Sequence, residues 1–309
     1  MAQPRTRPLQ VGLMLPTIEG DLGGATPQWR DIVALAQRAE DIGIDALWVP
    51  DHFLFREPGT APQGIWECWT LLAALAAVTR QATLGPLVAC TSFRNPALLA
   101  KIADTVDEIS DGRLILGLGA GWNEPEYDAF GYPFDHLASR FEEALIIMHG
   151  LLRDGQVDFT GTYATAHDCE LRPRGPRPAG PPIMVAGSGP RMLRLAAQYT
   201  DAWHIWLSHA PAGLAPLQEA VDAACVAIGR DPTTLERSVG VVADLTGGGV
   251  WPLIYTAGSP LLSGSPEAMA EALRAYAHAG LTRVDVWLQP NTLAGLDAFA
   301  PVLDLLDRG

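Results

Sequence analysis

From about residue 9 to residue 306 the chain alternates short, continuously apolar runs with amphipathic stretches, eight times in succession. Strands are expected at Leu9 to Leu15, Ala46 to Val49, Ala82 to Cys90 and Arg113 to Leu118, then at Pro182 to Ala186, Ala202 to Trp206, Ser238 to Leu245 and Arg283 to Leu288. Helices are expected between them, at 29–42, 69–78, 96–109, 141–152, 191–199, 213–228, 265–278 and 296–306. In the third of these, Leu98, Leu99, Ile102, Val106 and Ile109 keep helical spacing. Ser265, Pro266 and Glu267 form a helix start, with a hydroxyl at the cap and Pro and Glu in the first turn. Strands that are apolar throughout belong to a parallel sheet covered on both faces. Eight such units in 309 residues specify an α/β fold of the (β/α)8, or TIM barrel, type as one domain over 1–309. A doubly wound sheet wants GxGxxG after its first strand, but that strand ends in Leu15-Pro16-Thr17. Two insertions interrupt the alternation: Asp154 to Pro181, after the fourth helix, and Thr246 to Gly264, after the seventh strand. Both are expected to be irregular loops.

Composition removes several classes of function. A net charge of −14 disfavours nucleic acid as a partner. It also leaves any anionic cofactor to be held by local donors. No run of about 18 apolar residues suggests a membrane span. The start MAQPRTRPLQ lacks the apolar core of a secretory signal, so a cytoplasmic location is expected. Cys68, Cys90, Cys169 and Cys225 are scattered, with no CxxC pair, so no metal site is expected. Lys101 is the sole lysine, which leaves one residue for Schiff-base chemistry.

In barrels of this kind chemistry sits at the carboxyl ends of the strands. The fourth strand runs into LILGLGAGWNEPEYDAFGYPF, a glycine-rich turn that becomes a recognition loop within a few residues, with Gly119, Gly121, Asn123 and Tyr127 as binding candidates. The fifth strand ends in Ala186, Gly187, Ser188 and Gly189, directly before a helix. Backbone N–H groups and the helix N-terminus would favour a phosphate there, and Arg191 and Arg194 could add charge. The plain alternative is a capped helix start. The second strand ends in Asp51 and His52, and His52 is the candidate for proton transfer. Neighbours on a strand point to opposite sides, so Asp51 need not orient it. A lone histidine is more often structural, and His136, His149, His167, His209 and His278 read as surface or packing residues. Asp107-Glu108 and Glu142-Glu143 read as solvated helix faces, and Cys90 as a small buried thiol. Arg172, Arg174 and Arg177 would either receive an anionic tail or form a solvated loop. A metal-dependent hydrolase would show HxH on the first strand, which reads VGLMLPT.

Taken in order, VGLMLP, AEDIGIDALWVPDH, LVACTSFRNPALLAK, DGRLILGLGAGWNEPEYDAFGYPF and PPIMVAGSGPRMLRLAAQYTDAW resemble the luciferase-like monooxygenase family. They cover most of Val11 to Trp203, and GSPEAMAEAL adds a weaker match near the C-terminus. AGWNEPEYDAFGYPF resembles the branch using the deazaflavin coenzyme F420 more than the FMN branch. The resemblance implies a ring in the barrel mouth, its phosphate near Gly187 to Gly189, and Asp51, Thr91 and Gly121 near the ring or its chain. It implies a non-proline cis peptide around Ala89-Cys90 and places His52 at the position of a catalytic histidine. Some deazaflavin dehydrogenases carry a glutamate directly after the second glycine of the turn. Ala120 stands there, so that acid–base role does not carry over. The expectation is hydride transfer between F420 and a small organic substrate. The alternatives are an FMN-dependent, oxygen-activating monooxygenase and a catalytically idle flavin-binding protein. A homodimer is expected, with the apolar run Leu71 to Val78 suited to its interface and equally to core packing.

Overall fold

The computed structural model describes residues 7–56, 59, 61–206, 210–246 and 261–308. Among the described residues nine parallel strands follow one another around the central sheet, and a tenth short one pairs at its side. The nine are β1 (Gln10–Met14), β2 (Ala46–Val49), β3 (Thr83–Pro86), β4 (Ala89–Cys90), β5 (Leu116–Gly119), β6 (Ile183–Ala186), β7 (Ala202–Trp206), β8 (Glu236–Asp244) and β9 (Arg283–Gln289). Their order is β3-β2-β1-β9-β8-β7-β6-β5-β4. Because β3 and β4 are consecutive pieces of one chain segment, the order returns to where it began. A parallel bridge from Leu84 to Leu114 adds to the closure. This is the barrel expected from the sequence, and the doubly wound alternative is excluded. The break between β3 and β4 holds a non-proline cis peptide at Leu87-Val88, two residues before the position expected for it.

Helices surround the sheet: α1 (Trp29–Ile42), α2 (Cys68–Val78), α3 (Pro96–Ile109), α4 (Glu124–Phe130), α5 (Leu137–Asp154), α6 (Pro190–Tyr199), α7 (Ala215–Ala227), α8 (Pro266–His278) and α9 (Leu293–Asp307). Their starts follow from local chemistry. Asn95 Oδ1 accepts from the N–H groups of Ala97 and Leu98, with Pro96 leading the helix. The Glu67 carboxylate does the same for Trp69 and Thr70. The larger core lies between strands and helices, where the outward residues of the sheet, such as Leu13, Leu47 and Val185, meet Leu35, Leu72 and Leu145. In α2 the residues Leu72, Leu75 and Ala76 are buried against the core, while Leu71, Ala73, Ala74 and Val78 are half-buried and Ala77 is exposed. A second, smaller cluster fills the barrel itself, with Met14, Trp48, Leu87, Met184 and Trp287.

Two glycines shape that interior. A Cβ on Gly12 would lie 2.1 Å from Asp285 Oδ1 and 2.4 Å from Trp48 Nε1. A Cβ on Gly240 would lie 1.7 Å from Cε3 of Trp206. Small residues here admit a hydrogen-bonded Trp48–Asp285 pair and the Trp206 ring.

The first insertion is not irregular throughout. Gln156–Thr160 and Thr165–Glu170 form an antiparallel hairpin, and its alternating half-buried and exposed residues read as a strand covered on one face. Beyond it, Arg177 returns to bind Asp107 and the carbonyl of Leu114. Asp107 is fully buried, so it is not on a solvated face. Arg174 donates to the carbonyls of Leu152 and Pro178, and Arg172 pairs with Glu170. Arg174 and Arg177 therefore serve the fold, and Arg172 is exposed in a local surface pair. In the second insertion, residues 247–260 and their expected loop lie outside the described residues, and Leu261–Ser263 adds to β8 as a short parallel strand.

Candidate active site

A cavity of about 570 Å³ opens at the carboxyl ends of the barrel strands. This is within the range of roughly 300–1,000 Å³ typical of small-molecule sites. Of the residues expected at a site, Asp51, His52, Cys90, Gly119, Ala120, Gly121, Ala186, Gly187 and Ser188 line it. Ala89, Thr91, Asn123 and Tyr127 stand behind the wall, and Gly189 lies exposed beside it. Ala89 pairs with Leu118 in the sheet. Thr91 Oγ1 donates to Gly119 O at 3.4 Å. Asn123 Nδ2 donates to Leu54 O at 2.9 Å. Tyr127 Oη donates to Ala120 O at 3.1 Å, and Gly189 caps α6. The first four hold the turns that the nine lining residues present to the cavity.

His52 sits at the rim, packed between Phe55 and Trp122, with ring centroids 4.7 and 5.5 Å away. Its Nδ1 lies 2.8 Å from Glu126 Oε1. An ionised carboxylate only accepts, so the neutral imidazole keeps its proton on Nδ1 and turns the Nε2 lone pair away from Glu126. Glu126 is itself fixed by the Phe53 N–H, which donates to Oε2 at 2.8 Å. The orienting carboxylate is therefore Glu126, 74 residues away in sequence, and not the adjacent Asp51. In the same turn Glu124 is exposed and only Glu126 is buried. A signal was present: Asn123-Glu124-Pro125 starts a short helix, and on it Glu126 and Tyr127 share the buried face.

Asp51 has a different task. It is fully buried and takes two bonds from Arg94, at 2.7 and 3.0 Å, and one from the Cys90 N–H at 3.0 Å. Burial raises its pKa, and the Arg94 guanidinium opposes the rise. Arg94 also binds Glu67, at 2.6 Å, so one arginine ties β2, the start of α2 and the segment after β4 together. Burial pushes the Cys90 thiol up to about 12, and its Sγ lies 2.9 Å from Tyr127 Oη. It is a packed thiol with no base beside it.

At the other end of the cavity, Gly187 has φ +147, and its N–H is taken by His204 O. The N–H groups of Ser188, Gly189, Arg191 and Met192 find no acceptor among the described residues. Together with the start of α6 they make a row of unpaired donors, a geometry that suits an anion. Arg191 and Arg194 are both held by Glu142, so they add little free charge. Among the described residues no group of three or more His, Cys, Asp or Glu side chains could hold a metal ion. None of the helices there is long and apolar enough to cross a membrane. His209 lies outside the described residues.

A parallel eight-unit barrel with a glycine-walled mouth, a histidine–carboxylate pair on its rim and unpaired N–H groups before its fifth-unit helix has the build of a barrel enzyme with its site at the strand ends. The sequence signature described as luciferase-like monooxygenase matches residues 9–244, and the chain belongs to that family. It is 34% identical over 264 residues to a pyrimidine monooxygenase, RutA, of Methylobacterium radiotolerans, covering 79% of this chain and 67% of that protein. It is 33% identical over 180 residues to an F420-dependent glucose-6-phosphate dehydrogenase of Amycolatopsis mediterranei, covering 56% of this chain and 52% of that one. The chain thus spans about half the length of the latter relative. In structure it resembles an F420-dependent secondary alcohol dehydrogenase, with TM-score 0.82, 20% identity, and 96% and 99% of the two chains covered.

Proposed function

We propose that the protein is an F420-dependent oxidoreductase that exchanges a hydride with a small organic substrate in the barrel mouth. The observation that carries this reading is the His52–Glu126 pair facing the same cavity as the unpaired N–H groups at the start of α6. The residues present fit such a cofactor. The wall at Gly119 to Gly121 offers no bulky side chain to a flat ring, and Ser188 to Met192 offer donors to a phosphate. When bound, the deazaflavin supplies the hydride chemistry. The chain's residues orient and shield. Asp51 and Arg94 fix the floor beside Cys90, Phe55 and Trp122 cover the imidazole, and Glu126 keeps the His52 Nε2 lone pair toward the cavity. His52 Nε2 takes up or returns the substrate proton.

The similarity to a pyrimidine monooxygenase supports a second reading, FMN-dependent oxygen activation in the same cavity. Titration of the purified protein with F420 and with FMN, each oxidised and reduced, followed by fluorescence and calorimetry, separates the two. Tight binding of F420 alone is expected. Tight binding of FMN alone would replace the first reading by the second, and binding of neither would remove both.

A further inference from the structure

Two polar atoms in the cavity wall have no partner. His204 on β7 and Trp287 on β9 both line the cavity. Their Nε2 and Nε1 atoms are buried and make no hydrogen bond among the described residues. Buried polar groups are ordinarily paired, so two such atoms in one cavity point to a ligand. Both rings flank Trp206, with centroids 6.1 Å from it on each side. Around them the wall is apolar, with Met14, Ile18 and Leu87.

Charge is the other half of the argument. No lysine or arginine among the described residues lines the cavity. Arg283, whose charge reaches His204, does not line the cavity and is engaged by Asp285 at 2.9 and 3.2 Å and by Ser238 Oγ at 3.2 Å. His204 supplies no charge either. Its Nδ1 lies 2.9 Å from Ser238 Oγ, and burial together with Arg283 depresses its pKa to about 3. The carboxylates that do line the cavity add no cation: Asp51 is paired with Arg94, and Glu126 accepts from His52 Nδ1. A carboxylate or phosphate at the Trp206 wall would be desolvated without a counterion. An indole N–H only donates, so the ligand must bring an acceptor.

We propose that the wall formed by His204, Trp206 and Trp287 is the substrate end of the cavity and selects uncharged, flat, apolar compounds bearing a carbonyl or hydroxyl oxygen. Trp287 Nε1 donates to that oxygen, and His204 Nε2 holds the polar function at the inner end. The chemistry done there rests on the deazaflavin reading, whereas the recognition does not. A phosphorylated sugar, the substrate named for one relative, is excluded at this wall.

Three naphthalenes with one differing substituent test this: 2-naphthol, 2-methylnaphthalene and 2-naphthoate. Each is titrated by calorimetry into the full chain, with F420 and FMN titrated separately into the same preparation. 2-Naphthol is expected to bind about 10-fold tighter than 2-methylnaphthalene, and 2-naphthoate weakest. Trp287→Phe and His204→Leu are expected to cut the naphthol advantage to about 2-fold or less, while His204→Gln, which keeps an amide near the Nε2 position, retains most of it. Tightest binding by 2-naphthoate overturns the proposal, as does a naphthol advantage unchanged in both Trp287→Phe and His204→Leu. Cofactor binding without naphthol preference would remove this proposal alone. Naphthol preference without cofactor binding would remove the deazaflavin reading alone.

Discussion

At the scale of single residues, the site is governed by partners distant in sequence. His52 stood out because it ends a strand, but its orienting group comes from the helix after β5. The pattern of one strand cannot reveal a partner supplied by another unit, so Glu126 was legible only as a buried position on a short helix. His52→Ala is expected to lower turnover by about 100-fold or more while leaving F420 affinity within about 3-fold. Unchanged steady-state turnover would remove the proton-transfer role. Glu126→Gln keeps shape and loses charge, and should lower turnover by about 10-fold. Asp51 makes a different prediction. Arg94→Leu leaves that carboxylate buried without its cation and should destabilise the fold by about 3–5 kcal/mol in urea titrations. A change under about 1 kcal/mol would show that Asp51 is held by other means.

Among the elements, the strands and helices were legible because their apolar periodicity is strong. Three features were not. The hairpin at 156–170 alternates half-buried and exposed residues, and such a weak alternation is hard to separate from a polar loop. The burial of Asp107 depends on Arg177, 70 residues away. The cis peptide at Leu87-Val88 falls inside an apolar run that reads as one strand. The packing between strands yields its own prediction. Gly240 on β8 leaves room for Trp206 on β7, so Gly240→Ala must displace that ring. A loss of about 1–3 kcal/mol is expected, with weakened binding of 2-naphthol and little change in F420 affinity. Unaltered naphthol affinity would mean that Trp206 does not form the substrate wall.

For the whole molecule, the buried His204 and the half-buried Asp21 bend stability in opposite directions with pH. The pKa of His204 falls from 6.5 to about 3 through burial. The unfolded chain therefore binds a proton there that the folded chain refuses, and stability is lost as pH falls below about 6.5. Asp21, raised from 3.8 to about 6 by burial, favours the fold at low pH and loses that contribution as pH rises through about 6. Between pH 7.5 and 4.5, His204→Gln should gain about 2–3 kcal/mol relative to the parent protein in urea titrations. A constant difference across that range would show that His204 is protonated alike in both states. The sequence announced the barrel and its strand ends, but not this interior, because Trp48, His204, Arg283 and Asp285 meet only when the barrel closes.

The most direct measurement is a crystal structure of the protein with F420 bound. The predicted result is a ring in the mouth beside Gly119 to Gly121 and His52, with the phosphate on the N–H groups between Ser188 and Met192. A phosphate bound elsewhere, or a ring outside the cavity lined by His52, would contradict the assignment of this site.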